Sequence, residues 1–514
     1  MGRPAAAAGG RWRLGLAVLA GVAFALRLAV LTRAGGVATA IEYDDGVHYG
    51  VSALLLHGVL PYRDQVFLQP PGIAVLLLPC AAVGRLVGDA AGLASARIAT
   101  CAVGAVTAWL LGRLVAREVG PGAGLAAAAV YATAAGSLLA ESTVLLEPFL
   151  NLFTVLALSQ LASGRRDGRR GRLLLAGALI GVAGTVKLWA VAPLAASLMG
   201  LLLVRRYRDA GRFAAAAAAT AALLAGPFLL LAPVAALRDI VATQATRPSA
   251  GTAGLGSRLR DMSGVAPLGT VAAVTVLGTV IGLGILAVRR CWLARLAGAQ
   301  LCLSVGLFTV GRPYFSHYAD FLVPPAAILV GVGITQAARR TTPWVGAAAV
   351  LAAVAVGGGE IAAVWSSVSR AAVSTTRLRA ALPARGCVLA DQPVLAVYAG
   401  ALARTGCPAW LDPRGTGLTE LGGRSAAGFY PDGFRALPGW QQRWLRWAGE
   451  ADAAVLTGEP CGHSEWRPAV CGYLTQHFHL VAVVGRATPN QLPVQVWLRT
   501  STRRPARQVR GRPS

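Results

Sequence analysis

Long apolar runs dominate this sequence and restrict what it can fold into. Several stretches of about 18 residues or more carry few or no charges, and a helix of that length crosses a lipid bilayer. Of the 514 residues, 55% are hydrophobic and only 14% are charged, whereas an ordinary soluble domain has about 25% charged residues. The chain is therefore predicted to be an all-α polytopic membrane protein through most of its length.

Arginine clusters between the apolar runs predict the topology. We predict about eleven transmembrane helices, at residues 14–33, 97–115, 123–140, 148–163, 173–186, 188–204, 213–235, 265–288, 293–310, 321–338 and 343–361. With this number of spans, every strongly basic connection lies on one side of the membrane. The positive-inside rule makes that side the cytoplasm and leaves residues 1–13 there.

The net charge of +26 is explained by the same clusters. The arginines are divided among short connections and do not form one patch, so they indicate orientation in a plasma (inner) membrane and not nucleic-acid binding. The first apolar run also fits a secretory signal peptide, because Ala38-Thr39-Ala40 resembles a cleavage site. Its length and the interruption by Arg27 favour a retained span.

The end of the chain is predicted to be a separate extracytoplasmic domain. Residues 362–500 have a more soluble composition and short strand-like segments, which predicts a small α/β domain, and the arginine-rich residues 501–514 predict a disordered tail. Four cysteines in this domain are disulfide candidates in an oxidising compartment, and nearest-neighbour pairing is one of three connectivities: Cys387, Cys407, Cys461 and Cys471.

An acidic motif follows the first apolar run, in the predicted outer segment 34–96. Residues 42–49 read EYDDGVHY. Helix capping would explain a single aspartate here. Two adjacent carboxylates repel each other, which is unfavourable unless the repulsion serves a function, for example holding a proton on a general base. Asp44 and Asp45 are therefore candidate catalytic residues, with candidate donor or acceptor contacts at Glu42, His48 and Tyr49.

Two more acids flank the turn between the third and fourth predicted spans. Glu147-Pro148 begins a span, where capping and the helix dipole would explain the glutamate. The alternative is that Glu141 and Glu147 form a second acidic site, or a metal site, facing Asp44 and Asp45. Both interpretations stay open at this point.

Lys187 is the only lysine in a chain that otherwise uses arginine for positive charge. It lies at the outer end of a predicted span, beside Trp189. A compact ammonium group suits a phosphate, although a lysine extending to the interface beside a tryptophan is the structural alternative.

The outer connection at residues 311–320 reads GRPYFSHYAD. Ionisable groups at membrane level are candidates for function. Arg312 and His317 are therefore predicted to bind a lipid phosphate, and Tyr318 to contact the donor or acceptor; an aromatic interface belt is the alternative. Acids and bases thus gather at one leaflet, as required for sugar transfer from an anionic lipid carrier.

These residues resemble the GT-C superfamily of membrane glycosyltransferases, in particular the family 39, protein-mannosyltransferase or aminoarabinose-transferase-like group with RgtA/B/C/D-like domains. The matching features span residues 10–360: Asp44-Asp45 with His48-Tyr49, Pro70-Pro71-Gly72, Arg97, Glu147-Pro148, Lys187, and His317-Tyr318 with Pro324-Pro325. This chain has Asp-Asp where relatives commonly have Asp-Glu, so either aspartate could be the base.

The resemblance implies inverting transfer from a polyprenyl-phosphate-sugar donor to a glycan, lipid or protein acceptor. It leaves open whether a divalent metal (Mg, Mn or Ca) takes part. A transporter or flippase of a lipid-linked or anionic substrate is the alternative, but transporters place ionisable groups near the bilayer midplane and often contain internal repeats. Here the charges lie at one surface.

Overall fold

The computed structural model describes residues 5–247, 254–265, 269–289, 291–311, 313–339, 355–366, 368, 372–421, 437–462, 466–485 and 492–500. Up to residue 368 the described chain is mostly helical, and a small mixed domain with a sheet follows. This is the predicted fold class.

The N-terminal part consists of helices joined by short turns. Its helices are α1 (Ala5–Arg33), α2 (Tyr43–Leu55), α3 (Gly72–Leu76), α4 (Leu78–Val87), α5 (Asp89–Glu118), α6 (Pro121–Thr133), α7 (Ala135–Ala140), α8 (Glu147–Asp167), α9 (Arg170–Val186), α10 (Val191–Leu203), α11 (Tyr207–Leu231), α12 (Pro233–Leu237), α13 (Thr243–Thr246), α14 (Leu255–Met262), α15 (Thr270–Val288), α16 (Trp292–Val310), α17 (Val323–Ala338) and α18 (355–366). Two 3₁₀ turns, Leu188–Ala190 and Ser316–Leu322, and a π turn, Arg238–Ala242, join them.

Within the described residues, six helices are long and apolar enough to cross a membrane. They are Gly10–Arg33, Asp89–Glu118, Tyr207–Leu231, Thr270–Val288, Trp292–Val310 and Ser316–Ala338. Each of the other predicted spans overlaps a helix as well, although residues 343–354 of the last one lie outside the described chain. The chain is thus a multi-pass membrane protein, and the total of eleven spans stays a prediction.

Two local predictions need correction. The predicted span 123–140 is broken at Ala134, whose backbone is extended (φ −57°, ψ 127°), so that α6 and α7 are separate helices. The acidic motif is not a loop, because Tyr43 begins α2 and both aspartates lie in its first turn. Carboxylates at a helix N-terminus interact favourably with the helix dipole.

The buried positive charge of Arg27, in α1, is paired with an acidic side chain. Its guanidinium forms an ion pair with Glu141 and donates from Nη1 to the carbonyl oxygen of Ala23 at 2.9 Å. Tyr131 donates its hydroxyl to the same glutamate. Removing α1 would leave the buried Glu141 carboxylate without its cation, which costs several kcal/mol. This pairing favours a retained first helix.

The C-terminal domain contains a four-stranded sheet in the order β1-β2-β4-β3. The strands are β1 (Val388–Ala390), β2 (Ala453–Thr457), β3 (Phe478–Val484) and β4 (Val494–Arg499), and the helices are α19 (Thr375–Ala380), α20 (Pro393–Tyr398), α21 (Pro413–Leu421), α22 (Pro438–Glu450) and α23 (Pro468–His477). β1 is parallel to β2, whereas β4 is antiparallel to both of its neighbours. Residues 501–514, the predicted tail, lie outside the described chain.

Side-chain packing and two disulfides stabilise this domain. Trp440 and Trp444 are buried in its core. Cys387 is bonded to Cys407 and Cys461 to Cys471, which is the nearest-neighbour pairing.

The C-terminal domain shares a hydrophobic core with the helical domain. Val47 and Val51 of α2 belong to the same buried cluster as Val394 and Leu395 of α20. Gly46 lies so close to α20 that a Cβ atom there would overlap the backbone of Pro393 and Val394. The helix that carries the acidic motif is therefore held between the two domains.

Candidate active site

A cavity of about 270 Å³ lies where α2 and α8 meet the C-terminal domain. Most of the predicted site residues line it, together with others that were not among the predicted site residues, such as Arg247 and Arg414. The charged and aromatic lining residues are Glu42, Tyr43, Asp44, His48, Glu147, Lys187, Arg247, Phe315, His317, Tyr318, Asp412 and Arg414.

The structure separates the two adjacent aspartates. Asp44 is partly exposed and lines the cavity, whereas Asp45 is fully buried. Asp45 Oδ2 accepts from Arg97 Nε at 2.6 Å, and its other oxygen accepts from the backbone N–H of Val144. The two carboxylates therefore do not act as a pair in one site, because Asp45 is bonded to Arg97 and does not line the cavity.

Arg97 connects this buried carboxylate to both domains. Its Nη2 donates to the carbonyl oxygen of Ala40 at 2.9 Å, and its Nη1 donates to the hydroxyl of Tyr398 at 2.9 Å. Tyr398 in turn donates its hydroxyl to Ala40. A buried, fully hydrogen-bonded guanidinium of this kind fixes backbone positions, so that Asp45 and Arg97 hold the start of α2 in place.

Lys187 and Glu147 form a buried ion pair at the cavity wall. The Nζ atom of Lys187 donates to Glu147 Oε1 at 2.5 Å and lies 3.5 Å from the ring centre of Trp189 and 4.6 Å from that of Tyr318. The second carboxylate oxygen of Glu147 is buried and has no hydrogen-bond partner in the part of the chain that the structure describes. A ligand donor at this oxygen would satisfy it.

His317 and Arg247 stand beside this pair. His317 Nε2 lies 3.9 Å from Glu147 Oε1, and its ring stacks on Phe315 with centroids 5.7 Å apart. The guanidinium of Arg247 lies 5.5 Å from the centre of the Phe315 ring on the cavity side. Arg312, the other arginine predicted here, lies outside the described residues.

Sequence reasoning missed Arg247, although it stands at the end of α13, in a segment predicted to lie on the outer face. Nothing in the sequence singles it out, because the neighbouring residues Arg238, Arg258 and Arg260 belong to the same predicted outer segment.

The C-terminal domain contributes one wall of the cavity. The hydroxyl of Tyr43 donates to Asp412 Oδ1 at 2.7 Å and accepts from the backbone N–H of Arg414 at 2.9 Å. The guanidinium of Arg414 lies 4.6 Å from the centre of the Tyr43 ring. Burial raises the pKa of Asp412, while hydrogen bonds from the Gly415 N–H and the Tyr43 hydroxyl act in the opposite direction.

Two predicted residues do not reach the cavity. Glu141 is bonded to Arg27 and Tyr131 inside the helical bundle, so it cannot be an acidic partner of Asp44. Tyr49 is fully buried on the other side of α2, where its hydroxyl donates to Asp89 Oδ1 at 3.1 Å. His48 does line the cavity, and its Nδ1 donates to the carbonyl oxygen of Val144 at 2.6 Å.

The carboxylates of the site are not arranged as a metal centre. Among the described residues, no group of three or more histidine, cysteine, aspartate or glutamate side chains is close enough to hold a metal ion. Glu147 and Asp45 each bind a protein cation instead. Glu42, Asp44 and Asp412 also line the cavity, and the participation of a divalent metal (Mg, Mn or Ca) stays a prediction.

The comparisons with known proteins agree with this architecture. Residues 67–312, just under half of the chain, match the profile of glycosyltransferase family 87. None of the curated proteins compared with the chain is significantly similar to it in sequence.

Solved structures match nearly the whole chain. ArnT from Cupriavidus metallidurans, solved bound to undecaprenyl phosphate, has a TM-score of 0.61 and 15% identity over 93% of this chain and 97% of its own. The apo oligosaccharyltransferase of Archaeoglobus fulgidus has a TM-score of 0.57 and 12% identity over 95% and 74%. The arabinofuranosyltransferase AftD from Mycobacteria has a TM-score of 0.54 and 18% identity over 94% and 40%.

At these identities the structural likeness shows the fold, which is the GT-C fold. The superfamily resemblance seen in the sequence is thus confirmed. The family profile that matches is that of family 87, another GT-C family, whereas the sequence features pointed toward family 39.

Proposed function

We propose that this chain, a membrane glycosyltransferase with the GT-C fold, transfers a sugar from a polyprenyl-phosphate-sugar donor to an extracytoplasmic acceptor with inversion, and that Asp44 is the general base. One observation carries the proposal. Of the two adjacent aspartates, only Asp44 lines the cavity, and the cavity also contains Lys187, Arg247 and His317.

The base has to remove a proton from the acceptor hydroxyl as that oxygen attacks the anomeric carbon. A partly exposed carboxylate at the cavity wall is suited to this step, whereas Asp45 is buried and its oxygens are occupied by Arg97 and the backbone N–H of Val144. The bond between the anomeric carbon and the phosphate oxygen breaks, and the lipid phosphate leaves with an additional negative charge. Attack from the face opposite the phosphate inverts the anomeric centre.

The cations of the cavity are positioned to stabilise the leaving phosphate. Arg247, His317 and Lys187 gather around Phe315 and Glu147. Preorganised donors directed at developing charge commonly contribute several kcal/mol to lowering a barrier. We assign the second oxygen of Glu147 to a hydroxyl group of the donor sugar, because Glu147 lines the cavity and this buried oxygen accepts no bond in the described structure.

The aromatic surroundings of the cations suit a lipid-linked donor. Trp189, Phe308, Tyr318 and Phe321 pack with ring centroids 4.3–6.3 Å apart beside Lys187. An apolar wall next to a phosphate site accommodates the first isoprene units of the carrier. The similarity to ArnT, solved with undecaprenyl phosphate, supports the same class of donor.

The positions of charge along α8 support an extracytoplasmic site in the plasma (inner) membrane. Glu147 begins α8 at the cavity, whereas Arg165 and Arg166 lie in its last turn. The 18 residues between Glu147 and Arg165 span about 27 Å of helix, close to the thickness of the hydrocarbon core. With the arginines in the cytoplasm, the cavity and the C-terminal domain face outward.

The test supplies membranes that contain the protein with labelled polyprenyl-phosphate sugars, both hexose and pentose. Asp44→Asn is expected to lower transfer by at least about a hundredfold, the scale of general-base catalysis. The matched control is Asp64→Asn, which removes an exposed carboxylate of the same segment that pairs with Arg63. Full activity of Asp44→Asn with a donor that the wild-type protein uses would contradict the assignment.

A further inference from the structure

A second cavity, of about 460 Å³, lies at the opposite end of α2 from Asp44. It opens between α4 and the C-terminal domain and is lined by His57, Arg85, Asp89, Arg379 and Arg404, among other residues. His57 follows Asp44 by 13 positions along α2 and its C-terminal turn, a separation of about 20 Å for helical residues. The cavity is therefore distinct from the candidate active site.

The lining of this cleft is strongly basic. Three arginines and a histidine face a single carboxylate, and the Asp89 carboxylate already accepts a hydrogen bond from Tyr49 at 3.1 Å. Arg379 Nε donates to the carbonyl oxygen of Tyr398 at 2.8 Å, and Arg404 Nη1 donates to that of Pro383 at 3.0 Å. These bonds orient both guanidinium groups through one nitrogen each, and a guanidinium has five N–H donors.

The surroundings of the cleft place it at a lipid surface. Arg85 lies on α4 between residues whose apolar side chains are exposed: Val83, Leu86 and Val87, with Leu86 84% exposed. A helix that exposes such side chains next to a cation is typical of one lying in the membrane interface. The cleft therefore opens at the level of the lipid headgroups, on the membrane face that carries the C-terminal domain.

We propose that this cleft binds the phosphate group of an anionic lipid of that leaflet. Arg85, Arg379 and Arg404 supply the charge-assisted hydrogen bonds that a phosphate accepts, and the acyl chains extend along the exposed apolar side chains of α4. The bound lipid fills the space between α4 and α19 and thereby joins the C-terminal domain to the membrane surface.

The test measures lipid retained by the purified full-length protein by native mass spectrometry, after exposure to equal amounts of phosphatidylglycerol and phosphatidylcholine. The wild-type protein is expected to retain phosphatidylglycerol preferentially. The double variant Arg85→Gln/Arg379→Gln is expected to lose this preference by about tenfold or more, because two charge-assisted contacts are removed. The matched control is Arg377→Gln, on the same helix as Arg379 but not lining the cleft.

Two further arms identify the source and the site of the bound phosphate. Inorganic phosphate is expected to displace the lipid only at much higher concentration; if it binds while phosphatidylglycerol does not, the lipid proposal is wrong. Lys187→Met/Glu147→Gln, in the other cavity, removes both charges of a buried pair and is expected to keep the preference; its loss there would mean that the lipid occupies the candidate active site. Unchanged preference in a double variant that unfolds at the wild-type temperature would also overturn the proposal.

Discussion

The hydroxyl of Tyr43 donates to Asp412 Oδ1 at 2.7 Å and so joins the residue before Asp44 to the C-terminal domain. The same hydroxyl accepts from the backbone N–H of Arg414, and Asp412 also accepts from the Gly415 N–H at 2.8 Å. The start of α2 and the start of α21 therefore share one hydrogen-bond network. The C-terminal domain forms part of the cavity wall and is not a detached appendage.

We predict that Tyr43→Phe lowers transferase activity while the protein still folds. The substitution removes one hydroxyl and leaves the half-buried Asp412 carboxylate with fewer donors, at a cost of about 1–3 kcal/mol. Activity is expected to fall more than this loss of stability explains, because Asp44 is the next residue. Thermal unfolding and initial rates on the same preparation test this; equal rates for variant and wild type would mean that the contact does not position the base.

Asp44→Asn and Asp45→Asn are predicted to have different effects on transfer activity and on stability. Asp44→Asn should abolish transfer with little change in unfolding temperature, since Asp44 is partly exposed. Asp45→Asn leaves Arg97 buried without its anion, which costs about 3–5 kcal/mol, and it should reduce the amount of folded protein in the membrane. The prediction is wrong if Asp45→Asn is folded normally and Asp44→Asn is not.

Much of this site could be predicted from sequence because it depends on chain position relative to the apolar runs. Asp44, Glu147, Lys187, His317 and Tyr318 each follow or precede a predicted span on the same side, and the structure brings them to one cavity. The different roles of Asp44 and Asp45 cannot be predicted from the residues next to them in the sequence. These roles depend on Arg97, which is 52 residues away along the chain.

The residues that the sequence did not indicate depend on approaches between distant segments. Arg247 reaches the cavity because α13 brings it beside Phe315, and Arg414 reaches it because α20 docks on α2. Neither hydrophobic periodicity nor the spacing of residues in the sequence predicts that two distant segments approach each other. In contrast, the small α/β domain at the end of the chain could be predicted, because its more soluble composition and short strand-like segments are visible in the local sequence.

Gly46→Ala is predicted to disrupt the docking of the C-terminal domain. A Cβ atom at this position would overlap the backbone of Val394 and Pro393, and backbone atoms cannot move aside as a flexible side chain can. Increased proteolysis within the C-terminal domain should accompany loss of activity. The matched control is Gly21→Ala, in α1, where a Cβ would meet no atom within 4 Å and the backbone is helical. If both variants behave alike, close packing at Gly46 is not the cause.

Arg27→Met is predicted to destabilise the helical bundle without a direct effect on chemistry. The substitution leaves Glu141 buried with Tyr131 as its remaining side-chain partner, and an unpaired buried charge costs about 3–5 kcal/mol. Arg27→Met/Glu141→Gln should recover most of the loss, since no uncompensated charge remains. Any double variant that folds is expected to transfer sugar at close to the wild-type rate; an inactive but stable one would indicate that Glu141 acts in the reaction.

The Lys187–Glu147 pair allows a structural role to be distinguished from a functional one. Lys187→Met alone leaves Glu147 buried without its cation, so a loss of activity could reflect misfolding. In Lys187→Met/Glu147→Gln the charge is removed from both partners, and we expect the unfolding temperature to return close to that of the wild type. Transfer should nevertheless stay at least about a hundredfold lower, because the leaving phosphate has lost one of its cations. Recovery of both stability and activity in the double variant would make the pair purely structural. Recovery of stability alone would assign the pair a role in the reaction, through Lys187 at the phosphate, Glu147 at the donor sugar, or both.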